Sequence, residues 1–256
     1  MASSSTNKLP AMIDRPLLNS SLVTVASGQL FLTSLIPTAV GNATNVLDVD
    51  SSLTNTSVSG AYVDEIWIRY AKEAPLFVDP VSPTTGTYDQ VGLDVVITVA
   101  NSNVKVGQKI YVNFTTGTGT DELLTVSDVT ANNFTATATI SATTSGNCSV
   151  YLPVDMCFYV VNASTITNTN QFFPLFTANI DSNPLNQTYS LTLNEKLPLI
   201  NHPVPHAGSN FTSANNEVAP KNRGLVLQRG QALYAAVSGT TALTTGFYVN
   251  VQGGYY

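Results

Sequence analysis

TTGTGTDELLTVSDVTANNFTATATISATTSGN, residues 115–147, is built almost wholly from Thr, Ser, Ala, Gly and Asn. It is either a flexible low-complexity tether or part of a folded β-unit, and the organisation of the chain turns on the choice. Periodicity decides it. Phe134, Ala136, Ala138 and Ile140 fall on one face, and Thr135, Thr137 and Thr139 on the other. Just before them, Leu124, Val126 and Asp128 alternate with Leu123, Thr125, Ser127 and Val129. A period of two is the mark of a strand with one buried face, and a disordered tract has no reason to keep it. GTGTDE (117–122), TANN (130–133) and ATTSGN (142–147) supply residues suited to turns. With VVITVANS (95–102), KVGQKIYVNFTT (105–116) and CSVYLPV (148–154), the stretch predicts a small five-stranded β-domain over residues 89–153.

The same pattern runs outward in both directions. No sustained i, i+3, i+4, i+7 apolar spacing with caps occurs, so helices are not expected. Short runs rich in Val, Ile, Thr, Tyr and Phe, broken by Gly, Asn, Pro and Ser, predict strands throughout. Upstream these are 21–27, 29–38, 44–53 and 61–74. In the last, Ile66, Ile68 and Tyr70 alternate with Glu65, Trp67 and Arg69, which puts Trp67 on the face opposite the isoleucines. Pro75, Pro80 and Pro83 then forbid regular pairing, and 75–88 reads as a Pro-rich linker. Downstream, 156–165, 188–200 and two or three strands within 224–256 resume the first pattern. The chain thus divides into an N-terminal arm (1–20), a β-sandwich (21–74 plus 156–256), the linker, and a domain inserted at a loop tip, a place that tolerates insertion when its ends stay close.

Of the 256 residues, 43% are hydrophobic, enough for a substantial core, and only 10% are charged. Strand surfaces must then be covered by Thr, Ser and Asn, as is common in secreted and virion β-proteins. The net charge of −6, with ten scattered Lys and Arg, argues against a nucleic-acid partner. The opening MASSSTNKLPAMIDRP has no apolar run, and no stretch is long enough to span a membrane. Cys148 and Cys157 read as small buried hydrophobes rather than a disulfide.

The sequence shows no frame for catalysis. His202 and His206 have i, i+4 spacing, but Pro203 and Pro205 forbid the helix that would bring them together, and no carboxylate or Cys completes a metal site. The Gly-x-Gly of the GTGTDE turn lacks the helix and Lys of a phosphate loop, and its Asp121 and Glu122 read as a solubilising hairpin tip. No G-x-S-x-G elbow occurs. The expectation is a protein that is not an enzyme and has neither cofactor nor metal. Trp67, Phe172 and Phe173 read as core. Tyr248, Tyr255 and Tyr256, near a chain end, read as interface anchors, and His202 and His206 lie in an irregular arm suited to contacts.

A resemblance sharpens this. Val106-Gly107, Ile110-Tyr111, Thr125-Val126, Asn132–Thr135 and Ser145–Asn147 follow in the order of a module common in tailed-phage structural proteins, which the segment resembles over about a quarter of the chain. Where that module has His-Gly, this chain has ANSN (100–103). The ending, GLVLQRGQALYA to GGYY, is similar to phage β-sandwich virion proteins, as is the early strand YVDEIWIRY. The resemblance implies an all-β fold: a jelly-roll-like antiparallel sandwich of about eight strands carrying the insert. It also implies a virion protein, assembled in the host cytoplasm, that decorates or cements the capsid shell. Its partners would be the major capsid protein or other virion proteins and further copies of itself, as a trimer. The alternative is a tail or fibre protein that binds a host receptor or surface glycan, with exposed tyrosines stacking on sugars.

Overall fold

The computed structural model describes residues 15–31, 33–49, 60–70, 83–100, 102, 104–162, 166–180, 188–192, 225–239, 243 and 246–255. Among them are thirteen strands. They are β1 (Arg15–Val23), β2 (Thr44–Asp48), β3 (Gly60–Tyr70), β4 (Thr84–Thr98), β5 (Lys109–Phe114), β6 (Glu122–Val129), β7 (Asn133–Tyr151), β8 (Val154–Val161), β9 (Phe173–Ile180), β10 (Thr188–Thr192), β11 (Leu225–Gln228), β12 (Ala232–Val237) and β13 (Phe247–Tyr255). Two 3-10 turns, Val40–Asn42 and Thr169–Gln171, are the helical elements among the described residues, and no helix there is long and apolar enough to cross a membrane.

A five-stranded and a four-stranded antiparallel sheet form the larger body. One has the order β1-β13-β3-β10, with β11 also paired to β3, and the other β2-β12-β8-β9. Set aside β4–β7 and the short β11, and number the remaining eight strands in chain order. The sheets then read 1-8-3-6 and 2-7-4-5, which is the jelly roll, two interlocked Greek keys. The four strands β4–β7 enter between the third and fourth of these strands.

Alternation builds the core. Leu17, Val63, Ile66, Ile68, Val249 and Val251 point inward from the first sheet, and Val46, Met156, Phe158, Phe176, Leu233 and Val237 meet them from the second. Phe158 and Phe176 stack with ring centroids 4.8 Å apart. Pro174 is tolerated in β9 because that strand is the edge of its sheet and the ladder shifts register there. A bulge in β3 at Asp64, opposite the Gln252–Gly253 step of β13, brings the Gly253 backbone against β3. A Cβ at this position (φ +158°) would lie 1.9 Å from the Tyr62 carbonyl oxygen, so only glycine fits.

The third sheet, order β4-β7-β5-β6 with a further β6–β7 pairing, has its own core of Tyr88, Ile97, Ile110, Leu124, Phe134 and Val150 among others. Both strands of the β5–β6 hairpin pair with the long β7, so β5, β6 and β7 close on themselves. This unit has four strands, not five. ATTSGN is no turn: Thr143–Asn147 pair with Thr87–Val91 of β4, and β7 runs unbroken for 19 residues. Gly146 serves a close approach instead. A Cβ there would sit 2.5 Å from the Thr116 carbonyl oxygen, whose loop donates two backbone N–H bonds to Asn147. Asp121 and Glu122 are structural acceptors, from the Phe114 N–H at 2.7 Å and from the Thr139 N–H and hydroxyl. The alternation fails at Ile140, which is 54% exposed, because the β4–β7 register slips between Gly92 and Asp94.

Other boundaries differ from expectation. Residues 15–20, read as the end of an arm, are the first half of β1, paired with the C-terminal β13. The linker reading of 75–88 stops short of Thr84, where β4 begins just past the last proline of the run. The described residues of 29–38 (29–31 and 33–38) are not a strand: beyond a single bridge at Gln29 they are turns and bends that pair with no described strand. Cys148 and Cys157 are free and buried, as expected.

Candidate interaction surface

The two jelly-roll sheets are covered differently. Strand β8 is buried on both faces: Met156 and Phe158 face the sandwich core, while Cys157, Tyr159 and Val161 face outward into a second cluster. That cluster is closed by Phe31, Val40 and Ala43 of the 29–43 loop and by Ile166 and Phe172. The Tyr159 hydroxyl donates to the Leu35 carbonyl at 2.6 Å, and Phe172 packs edge-on against both Tyr159 and Tyr234. Burial pushes the Tyr159 phenol far up, so it remains a donor. Phe31, with Val40 and Ala43 farther on, therefore covers this sheet.

The outer face of the first sheet has no such cover from described loops. Its register sets out three rows across β1, β13 and β3: Leu18–Gln252–Glu65, Ser20–Asn250–Trp67 and Leu22–Tyr248–Arg69. Leu18 is 75% exposed and Leu22 41%, although each neighbours a fully inward-facing residue in the same strand. The Arg69 guanidinium lies 4.9 Å from the centre of the Tyr248 ring. Trp67 is half-buried, and its indole Nε1 is buried with no hydrogen-bond partner. Tyr62 and the exposed Val226 pair side by side farther along the same face. Apolar and aromatic side chains on a solvent face, alternating correctly with the core, mark a surface suited to contact.

Of the residues expected at an interface, Tyr248 is on this face. Tyr255 is not: one bulge away, it packs against the sandwich core. Tyr256, His202 and His206 lie outside the described residues. Phe172 is core as expected, whereas Phe173 is 48% exposed and Trp67 belongs to the outer face. Sequence reasoning missed Leu18 and Leu22. RPLLNSSLV shows no clean alternation, with Leu17 and Leu18 adjacent and polar residues on both faces, and the prolines and polar residues before it suggested an arm.

A groove of about 600 Å³ at the ends of β8, β9 and β11 is lined by Val160, Asn162, Gln171, Phe173, Leu175 and Leu225, with no titratable side chain in its wall. Among the described residues no group of three or more His, Cys, Asp and Glu is placed to hold a metal ion. The junction between the small unit and the jelly roll is polar. Gln108 Nε2 donates to Asn179 Oδ1, and Asn179 Nδ2 donates to Asp155 Oδ1 at 2.6 Å. Burial raises the Asp155 carboxyl above the usual range, against the opposing pull of the Asn179 hydrogen bond and Lys105.

Fold and surface together define a jelly-roll protein with an inserted β-unit, one sheet covered by its own loop and the other presenting an aromatic and aliphatic face. No family model and no curated protein matches the chain. Among solved structures, one similar chain comes from the complex of VP16 and VP17, the two major capsid proteins of bacteriophage P23-77. It has 12% identity and a TM-score of 0.20, covering 84% of this chain and 98% of that one. Another is VP17, a capsid protein of the same phage, at 10% identity and TM-score 0.19, covering 94% and 96%. With superposition that loose, the jelly-roll assignment rests on the strand order itself.

Proposed function

We propose that this protein is a structural component of a bacteriophage virion, assembled in the host cytoplasm, that decorates or cements the capsid shell. The observation that carries the reading is the outer face of the β1-β13-β3-β10 sheet, over which none of the described loops packs. A jelly roll able to cover one sheet with its own loop leaves Leu18, Leu22, Trp67 and Tyr248 on the other. A face of this kind fits lasting contact with other subunits. Low overall charge supports the same role, since close assembly then desolvates few ions. So does the likeness of the insert and the chain ending to tailed-phage structural modules. The partners are the major capsid protein or other virion proteins, and further copies of this chain. The β4–β7 unit, with its separate core, is an inserted domain that stands as a knob on the particle.

The test is a cryo-electron microscopy reconstruction of purified particles, with mass spectrometry counting this chain against the major capsid protein. Hundreds of copies over the shell, with the β4–β7 unit traceable as a protrusion, are expected. A few copies confined to the tail would replace decoration with attachment to a receptor or glycan. Absence from the particle would end the virion reading.

A further inference from the structure

We infer that the outer face of the β1-β13-β3-β10 sheet binds the same face of a second copy of this chain, the two β3 strands antiparallel about a two-fold axis at Trp67. The inference deepens the proposed assembly role by naming the partner of that face.

It rests on the symmetry of the rows. Glu65, Trp67 and Arg69 share the outer face of β3 at successive alternate positions, beyond the bulge that separates Val63 from Glu65. Glu65 and Arg69 therefore stand about 7 Å to either side of Trp67 along the strand. A two-fold axis lying between the sheets, across the strands at the Trp67 row, exchanges the two flanking rows. Glu65 then lies over Arg69 of the second copy, and Arg69 over Glu65. The same operation sets Leu18 over Leu22 and Gln252 over Tyr248, with Ser20, Asn250 and Trp67 each near its own equivalent. Opposite charges meet, apolar side chains meet, and no like charges meet. The face is self-complementary, as a two-fold contact requires. A parallel stacking of the same rows would instead place Glu65 on Glu65 and Arg69 on Arg69.

The area is sufficient. Two nine-residue strands, β3, and the short β10 and β11 give a face of roughly 600 Å² per copy at strand spacings near 4.8 Å, so about 1,200 Å² in all, which reaches the size of specific interfaces. Packed face to face, the aligned sheets make the ordinary arrangement of a β-sandwich.

The experiment uses the full-length chain, with mass measured by light scattering after size exclusion over a concentration series. The wild type is expected to be a dimer. Glu65→Arg places arginines against Arg69 at both ends of the axis, and Arg69→Glu places glutamates against Glu65. Each variant alone should self-associate at least about tenfold more weakly. Mixing the two in equal amounts should restore the dimer, which a folding defect in either would prevent. Leu18→Asp, at a strongly exposed site, should weaken the dimer while leaving the circular dichroism unchanged. A wild type that stays monomeric at about 100 µM, dimers or trimers indifferent to the charge changes, or folded variants that do not recover on mixing would each overturn the inference. Particle analysis separates this from the broader reading. Glu65→Arg protein that enters virions at wild-type copy number sinks the self-pairing alone, whereas absence of the wild-type chain from virions sinks the assembly role.

Discussion

Phe134→Ala should unfold the β4–β7 unit without touching the jelly roll. Phe134 is 1% exposed in a core whose members, from Tyr88 to Val150, include none of the residues that fill the sandwich. Truncating a buried phenylalanine costs about 3–5 kcal/mol, from lost transfer free energy and the cavity left behind. For a unit of about 70 residues, even 3 kcal/mol lowers the midpoint by roughly 12–24 °C. The chain carries one tryptophan, Trp67 in β3, and so provides a reporter confined to the jelly roll. The contacts named between the two bodies are polar, through Gln108, Asn179 and Asp155, and such a junction couples them weakly. Tryptophan fluorescence should therefore keep its midpoint. Hydrogen exchange across β4–β7 should speed up by two orders of magnitude or more, on the order of the loss of 3 kcal/mol. A common downward shift of both signals, with one cooperative transition, would refute the idea of two separately stabilised bodies.

Three further outcomes follow from particular sites. Gly253→Ala drives a Cβ into the Tyr62 carbonyl and should cost about 1–3 kcal/mol in thermal or urea melts. Gly41→Ala, with nothing within 4 Å of its added carbon, should change little, and equal effects would contradict the bulge argument. At Asp155 burial raises the folded pKa above the unfolded value, so its favourable contribution is complete below about pH 4 and is lost as pH rises through the folded pKa. Asp155→Asn keeps an oxygen for Asn179 and carries no charge. Its melting temperature should gain on the wild type between pH 4 and pH 7, and a variant that loses ground over that range reverses the sign. Finally, burial pushes the Cys148 thiol up to about 11, and Cys157 is buried beside it in sequence order on the next strand. Neither should react with a thiol-specific disulfide reagent at pH 8 until denaturant is added; prompt labelling of Cys148 in the native protein would show that the small unit opens readily, and of Cys157 that the jelly roll does.

Much of the architecture is local in origin. A side-chain period of two is dictated by the extended backbone, so the alternation in Phe134–Ala138, Leu124–Val126 and Glu65–Arg69 announces strands, and which face of each is buried, before any partner is known. The absence of helical spacing and the punctuation by Gly, Pro and Asn fix the all-β class in the same way. ATTSGN shows the limit of such signals. Its residues suit a turn in isolation, yet pairing with Thr87–Val91 and the close approach of the Thr116 carbonyl at Gly146 hold it extended.

What the sequence by itself determined is thus the strand character, the insert between two halves of a sandwich, and the buried face of the strands that alternate cleanly, such as Leu124–Val126 and Phe134–Ala138. The tertiary structure alone decided what covers each sheet. Residues 15–23 lie beside residues 247–255, and that pairing across nearly the whole chain turns an apparent arm into an edge strand and sets Leu18 and Leu22 in line with Tyr248, Glu65 and Arg69. Phe31, Val40 and Ala43 pack instead on the opposite sheet. Pairings between distant segments depend on which edges meet in the folded chain, and no local periodicity encodes that choice.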